Sequence, residues 1–363
     1  MNRTESRTPG IAIVTGGAGF IGSHMVDCLL DAGFAVRVLD NLVCGRDSNL
    51  AQHERNLHLT LDTRDIRSID ADDSLFDGVR YIFHFASADD HQNAHERPQN
   101  CMDTNVMGTV RMLEGARRAG VSKFLYAGSA AGYAPSTEPL AETHPHAPAN
   151  PYQLSKHMGE SVALRWHAFY QVPVQVLRIF NAYGVRSRTF GNIGSVFDVF
   201  LKQKLAGHPF TIRGDGTQCR DFIYISDVVQ GFFAAACSEI AGEIYNIGSG
   251  VPYTINYLVE LLGGPVSNVP PYPGDPHCIL ANIDKSMREL NWKPKIGLAE
   301  GVALTLAALD YWSEAPLWTA ESLEQADQAR QPPSVLPSSP VSPATLVPPA
   351  SFASPDQTDI DSP

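Results

Sequence analysis

Short runs of apolar and β-branched residues alternate with segments of helical spacing through the first half of the chain. The apolar runs predict six strands, at Ile11–Thr15, Ala35–Leu39, Leu57–Leu61, Tyr81–Phe85, Phe124–Ala127 and Val174–Ile179. The segments between them predict helices at Phe20–Asp31, Asn105–Ala119 and Tyr152–Tyr170. Strands that alternate with helices form parallel sheets covered on both faces. The pattern therefore predicts an α/β fold with a Rossmann-type, doubly wound parallel sheet.

The alternation ends after Asn181, where Gly, Pro and aromatic residues separate shorter segments. Helical spacing continues at Val196–Leu205 and Ile255–Leu262. We therefore expect a sheet domain over residues 1–180 and a smaller region over residues 181–313, with a later strand near residues 222–247 returning to the sheet.

Composition changes again beyond residue 313. Past Arg330 the chain has no Lys or Arg, and Pro and Ser recur every few residues. Such a segment cannot bury enough apolar surface to offset the entropy lost on ordering. Residues 314–363 are therefore predicted to form a disordered tail, with a docking role for a partner as the alternative.

The charge balance argues against two classes of partner. The formal net charge of -12 disfavours nucleic acid and anionic membranes. Residues 1–10 lack the apolar segment of a signal peptide, and no apolar run reaches the ~18 residues that cross a bilayer. We therefore expect a cytoplasmic protein.

The 6 cysteines include no CxxC pair, so we expect reduced, mostly buried thiols and neither a metal site nor a disulfide framework.

A glycine-rich turn joins the first predicted strand to the first predicted helix. Its glycines, Gly17, Gly19 and Gly22, have the G-x-G-x-x-G spacing that lets backbone N–H groups and a helix N-terminus face a pyrophosphate. Asp40 ends the second strand, where its carboxylate can accept hydrogen bonds from an adenosine ribose and repel a 2′-phosphate. The turn and Asp40 together predict NAD, rather than NADP, as the cofactor.

Asp65 and Ile66 follow the third predicted strand. Asp65 is either a cap on the adenine or a solvated loop acid, and the sequence leaves both interpretations open.

Ser129, Tyr152 and Lys156 carry the candidate chemistry. Lys156 follows Tyr152 by one helical turn, so both side chains share one helix face. Tyrosine ionises near pH 10, and making it a base near neutrality requires about 4 kcal/mol. One positive charge at ~4 Å supplies about that much at an effective dielectric of ~20. The pair therefore predicts a tyrosine base for hydride transfer at a sugar or alcohol carbon.

These residues stand in a series of motifs that resembles the extended short-chain dehydrogenase/reductases, in the nucleotide-sugar epimerase and dehydratase family. The matching segments begin at Thr15–Gly22 and end at Glu289–Trp292; between them lie His84–Ala86, Asn105–Thr109, Tyr152–Lys156, Arg178–Gly184, Arg220–Tyr224 and Tyr245–Ser249. Each segment alone is modestly specific, but their order and spacing are highly so.

The resemblance implies a role for each matching residue. Tyr152 would remove a proton from a sugar hydroxyl as the hydride leaves for NAD, and Ser129 would hydrogen-bond the developing ketone. The remaining cofactor contacts, beside Tyr152 and Lys156, would be Gly16, Gly19, Phe20, Ile21, Gly22, Asp40, Asn41, Asp65, Ile66, Phe85, Ala86 and Asn105. The substrate, a nucleotide-diphosphate sugar, would be bound by Ser129, Asn181, Arg220, Tyr272 and Asp275.

The same resemblance divides the chain and predicts a homodimer. Residues 1–180 would bind NAD, and residues 181–313 would mainly bind substrate. The helices Cys101–Arg118 and Tyr152–Tyr170 fall where family members pair across a dimer axis.

The two residues after Ser129 bear on the second chemical step. Dehydratases of the family carry an Asp-Glu pair there and decarboxylases usually a nearby Glu, whereas this chain has Ala130 and Ala131. Without an acid for elimination, C4 epimerisation is favoured. A dehydratase, a decarboxylase or a 4-dehydrogenase is the alternative within the family, and a catalytically idle NAD-binding scaffold is the alternative of another class.

Some residues depart from the family pattern. Tyr272 replaces the arginine of an Arg-x-Gly-Asp phosphate clamp, which weakens the case for an ordinary UDP-hexose. Arg220 itself has an alternative role as a structural partner of Asp221. His91 and His95 lie in a polar segment that normally borders the sugar, and are either substrate contacts or surface residues.

Overall fold

The computed structural model describes residues 9–88, 94, 97–187, 189, 195–271 and 275–322. The strands of this part of the chain are β1 Ile11–Thr15, β2 Ala35–Leu39, β3 Leu59–Asp62, β4 Val79–His84, β5 Lys123–Ser129, β6 Val174–Ile179, β7 Asn181–Tyr183, β8 Phe210–Arg213, β9 Cys219–Tyr224, β10 Glu243–Ile247, β11 Pro252–Thr254, β12 Val266–Val269 and β13 Cys278–Ile279. Its α-helices are α1 Phe20–Asp31, α2 Pro98–Met102, α3 Thr109–Ala119, α4 Pro151–Tyr170, α5 Val196–Leu205, α6 Ile225–Cys237, α7 Ile255–Leu262, α8 Asp284–Leu290 and α9 Leu298–Leu306.

Seven parallel strands form the main sheet, in the order β10-β6-β5-β4-β1-β2-β3. The predicted doubly wound fold is therefore confirmed. The chain winds outward from β1 in one direction and returns from β4 in the other, so a crevice opens between β1 and β4 at the carboxyl ends of the strands. Ligands of such sheets bind in that crevice.

Apolar side chains cover both faces of this sheet. On one face, α1 and α6 bury Leu29 and Phe232 against the strands. On the other face, α3 and α4 bury Met112 and Ala163. The strand interiors are apolar on both faces for this reason, which is why their sequences read as continuous runs rather than alternating patterns.

The second predicted helix is more elaborate than its periodicity suggested. Helical structure begins at Pro98, and a π-helical turn, Asp103–Gly108, joins α2 to α3. Such turns insert one extra residue and are frequent at functional sites.

Smaller sheets pack beyond the main sheet. One places β9 between β11 and β13, with β7 also paired to β9, and another pairs β8 with β12. Their core contains Phe200, Phe210 and Trp312, and it also contains Ala315 and Trp318, which are 4% and 1% exposed. Packing therefore continues to Trp318, past the boundary at residue 313 that composition suggested, because one late tryptophan fills an aromatic core.

Cys219 and Cys278 form a disulfide, with their Cα atoms 4.5 Å apart. The expectation of reduced thiols is wrong at this pair, because the parallel pairing of β9 and β13 places the two residues opposite each other. Cys44 and Cys237 are exposed rather than buried. Among the described residues, no helix has both the length and the apolar character to span a membrane.

Candidate active site

The glycine-rich turn is folded too tightly for larger residues. Gly16 has φ of +67°, and a Cβ on it would lie 2.8 Å from the Ala86 nitrogen. A Cβ on Gly22 would lie 2.1 Å from the Gly16 carbonyl oxygen. Helix α1 then starts after Gly19 with no side chain capping its first turn and no acid in it. The uncapped N-terminus, which includes Phe20 and Ile21, faces the crevice and fits a pyrophosphate.

Asp40 lies against this turn. Its two carboxylate oxygens accept hydrogen bonds from the backbone N–H groups of Ala18 and Leu42, each at 2.9 Å. Burial raises the pKa of Asp40. Gly45 passes so close that a Cβ there would lie 2.6 Å from the carboxylate. The carboxylate thus stands beside the glycine-rich turn, which is the position that the sequence predicts for a ribose contact.

Asp65 is held at the same edge of the sheet. It accepts a hydrogen bond from Asn41 Nδ2 at 2.8 Å and pairs with Arg67 at 2.8 Å. The Arg67 guanidinium is the main reason that the pKa of Asp65 falls to about 2. The side chain also caps the short turn that begins at Ile66. Asn41, Asp65 and Ile66 are therefore brought together, although the carboxylate is already engaged by protein groups.

The opposite wall of the crevice follows β4. Phe85 and Ala86 are fixed to the end of β1, since the Ala86 N–H donates to Thr15 Oγ1 at 3.2 Å. Asn105, in the π-helical turn, accepts from the Ala88 N–H at 2.8 Å and donates to Ser155 Oγ at 2.9 Å. Both ends of the amide are thus used, so Asn105 anchors the wall to α4.

Ser129, Tyr152 and Lys156 lie where β5 ends and α4 begins. Asn150 caps α4 by accepting a hydrogen bond from the Gln153 N–H, and Tyr152 is the second helical residue. Lys156 Nζ donates to the Ala127 carbonyl at 2.6 Å, two residues before Ser129. Tyr152 and Lys156 are only 8% and 7% exposed. The lysine thereby fixes the helix that carries the tyrosine to the strand that carries the serine.

A buried ion pair behind these residues escaped the sequence analysis. Arg178 on β6 donates to both carboxylate oxygens of Glu160 on α4, and both residues are 3% exposed. Arg178 also donates to Tyr133 Oη at 2.7 Å, in the loop that follows Ser129. A Cβ on Gly128 would lie 3.1 Å from Arg178 Cγ, so the strand passes close to this arginine. A lone arginine inside an apolar strand is the signal that could have revealed this pair.

Three of the predicted substrate residues line a cavity of about 330 Å³ that is bounded by β7, β8, β9 and α5, whereas Ser129 is not among its lining residues. Asn181, Arg213, Arg220 and Asp275 line it, together with aromatic side chains such as Phe222. Tyr272, His91 and His95 lie outside the described residues.

Arg220 is fixed within the cavity wall by its own backbone neighbours. It donates to the carbonyls of Cys219 at 2.8 Å and Pro276 at 3.0 Å, and burial lowers its pKa. Asp221 instead accepts hydrogen bonds from the N–H groups of Ser249 and Ala281. The alternative interpretation of Arg220 as the partner of Asp221 is therefore not what the structure shows.

Residues 12–248 match the model of the NAD dependent epimerase/dehydratase family. UDP-glucuronic acid decarboxylase 1 of Arabidopsis thaliana is 34% identical over 302 residues, covering 80% of this chain and 67% of the relative. UDP-glucose 4-epimerase of Mycolicibacterium smegmatis is 33% identical over 303 residues, covering 81% and 96%. The crystal structure of UDP-glucuronic acid 4-epimerase from Bacillus cereus, with UDP-glucuronic acid and NAD, is 28% identical with a TM-score of 0.76, covering 83% and 99%.

These matches bear on the family and on the cofactor. They confirm NAD as the cofactor and the extended short-chain dehydrogenase/reductase resemblance on which the predicted chemistry rests. The chain is an NAD-dependent enzyme and belongs to the NAD dependent epimerase/dehydratase family.

Proposed function

We propose that the enzyme is a nucleotide-sugar 4-epimerase, which oxidises the C4 hydroxyl to a transient 4-keto sugar and reduces it from the opposite face. The observation that carries this proposal is the turn after Ser129. Ala130 and Ala131 occupy it, so the two residues after the serine carry methyl groups rather than carboxyl groups. Elimination of water requires an acid and a base near the neighbouring carbons. Re-reduction requires neither, and that favours epimerisation.

The site residues divide the proton chemistry between them. Tyr152 Oη takes the proton of the C4 hydroxyl in the first half-reaction and returns it in the second. The positive charge of Lys156 stabilises the phenolate form of Tyr152. Ser129 Oγ accepts a hydrogen bond from the Ala131 N–H at 3.2 Å, which leaves its own O–H to donate to the sugar oxygen. NAD, when bound, supplies a reversible acceptor for the hydride of the same carbon.

A direct assay tests the proposed reaction. Purified enzyme is incubated with UDP-, GDP-, CDP- and dTDP-sugars, and the products are separated by chromatography and identified by mass spectrometry and NMR. We expect a C4 epimer of at least one donor, with no net change in absorbance from NADH. Loss of CO₂ would instead identify a decarboxylase, which is the second candidate because the Arabidopsis relative carries that name. Loss of water would identify a dehydratase.

Arg220 is proposed to bind the substrate diphosphate. The Arg220→Met variant should raise KM about 10- to 100-fold with a smaller change in kcat, because it removes a charge-assisted contact of about 1.5–3 kcal/mol. Steady-state kinetics on the active donor measure this. Arg288→Met is the matched control, since the Arg288 side chain is 66% exposed. Equal KM values for the two variants would contradict the assignment.

We also propose that the enzyme is a homodimer that pairs through the face of α4 and the neighbouring π-helical turn. Leu154 and Met158, one turn apart on α4, are 40% and 41% exposed, and Met107 is 54% exposed. Apolar residues that share one exposed face mark an interaction surface. The Leu154→Glu/Met158→Glu variant should sediment as a monomer while the native protein sediments as a dimer. The Leu304→Glu variant, altered at a residue 44% exposed on α9, should remain dimeric.

A further inference from the structure

Three potential metal ligands meet behind the Ser129 turn. They are His146, in the loop before α4, and His157 and Glu160 on α4. Their ligand atoms all lie within 4.8 Å of one another. His157 and Glu160 are three residues apart, so they share one helix face. The cluster is distinct from the candidate catalytic residues, although His157 directly follows Lys156.

The imidazole nitrogens of this cluster are unusually poor in partners. Nδ1 and Nε2 of His146 and Nδ1 of His157 are buried, and none has a hydrogen-bond partner within the described part of the protein. The two rings stack instead, with centroids 4.3 Å apart. Buried polar atoms are nearly always satisfied, and an unsatisfied group calls for an explanation such as an ion. Three such atoms in one place therefore point to a ligand.

Imidazole nitrogens and carboxylate oxygens are ligand atoms that zinc accepts. Arg178 donates hydrogen bonds to both oxygens of the Glu160 carboxylate, and each oxygen keeps a further lone pair for an ion. Metal-binding carboxylates are held in this way by neighbouring donors.

Two features oppose a cation here and limit its affinity. The Arg178 guanidinium is itself positive. The two stacked rings must also rotate away from each other before a nitrogen lone pair of each can point at the same ion. Zinc bonds of about 2.0–2.2 Å place tetrahedral ligand atoms about 3.4 Å apart, so the side chains must move by about 1 Å to bring their ligand atoms to that separation. Two histidines and one glutamate, with a fourth position open to water, are nevertheless a set that zinc uses.

We propose that His146, His157 and Glu160 form a binding site for one zinc ion per chain. The site reaches both halves of the reacting centre. A Cβ on Gly132, three residues after Ser129, would lie 3.2 Å from His146 Nδ1, and His157 adjoins Lys156. Rotating the two rings apart therefore moves side chains that pack against the loop after Ser129 and against α4, so zinc should also change turnover.

The test measures binding first, which makes it independent of the proposed reaction. Protein stripped with a chelator is dialysed against ZnCl₂, and the retained metal is counted by plasma mass spectrometry. We expect one zinc per chain and a rise in the unfolding temperature of about 2–4 °C. Co²⁺ should give the visible absorption of a tetrahedral site.

Matched variants assign the ligands. His146→Gln and His157→Gln should each weaken zinc binding at least about tenfold, whereas His208→Gln, at an exposed histidine, should bind like the native protein. Circular dichroism confirms that each variant is folded. The proposal is overturned if native protein retains no zinc, or if both variants retain as much zinc as the His208→Gln control.

Discussion

The Tyr152→Phe variant is expected to lose about 10²–10⁴-fold in kcat, the usual contribution of a general acid–base group. Loss of one oxygen atom leaves no group to take the proton of the C4 hydroxyl. The ring itself remains, packed at 8% exposure near the start of α4, so the fold should be preserved. KM and NAD content should change little, because the other contacts with both ligands are intact. The measurement is steady-state turnover on the donor found active in the panel assay.

Tyr170→Phe is the matched control, on the last residue of the same helix. Its side chain is 50% exposed, and it should retain native turnover. If the Tyr152→Phe protein kept native turnover as well, the tyrosine base would be wrong. If neither native protein nor variant turned over any donor, the scaffold alternative would gain support instead.

The Arg178→Met variant is expected to lose about 3–5 kcal/mol in its free energy of unfolding. Without the guanidinium, the Glu160 carboxylate stays buried with no opposite charge, and Tyr133 loses its 2.7 Å hydrogen bond. Both effects destabilise the fold because the groups left behind are buried, and not because the ion pair itself is strongly stabilising. Buried pairs often contribute little compared with apolar residues of similar size, whereas half of such a pair is costly.

Denaturant unfolding of two variants separates these effects. The Arg178→Met/Glu160→Leu double variant should recover much of the stability lost by Arg178→Met. A double variant no more stable than the single one would show that the guanidinium contributes through Tyr133 and the Glu142 carbonyl, which it also contacts. The matched surface change, Arg117→Met, should cost about 0–1 kcal/mol, since its partner Glu114 lies on the same exposed helix face.

The elements that sequence predicted well are those specified locally. Ile11–Thr15 and Ala35–Leu39 were predicted to the residue, because apolar runs bounded by Gly or polar residues define buried strands. The glycine-rich turn was equally clear from its spacing, and the close approach of Gly22 to the Gly16 carbonyl lies within the turn itself. Asp40 could be placed beside that turn because parallel strands end at one edge of the sheet.

The features that sequence missed depend on distant segments. Arg178 and Glu160 meet only because β6 lies beside β5 and α4 crosses both. The Cys219–Cys278 disulfide depends on pairing with a two-residue strand, which is too short to show a pattern. The π-helical turn around Asn105 keeps helical spacing, so periodicity alone does not distinguish it from an α-helix.

The disulfide between β9 and β13 bears on how the reacting centre could be altered by design. It joins the residue before Arg220 to the residue before Ile279, and those two residues are themselves paired in register. Ile279 packs against the apolar cluster that contains Ala130 and Tyr133, in the loop after Ser129. A cross-link at this point fixes the registration of the two strands, so a larger or smaller side chain at position 279 should change the packing behind that loop without displacing Arg220.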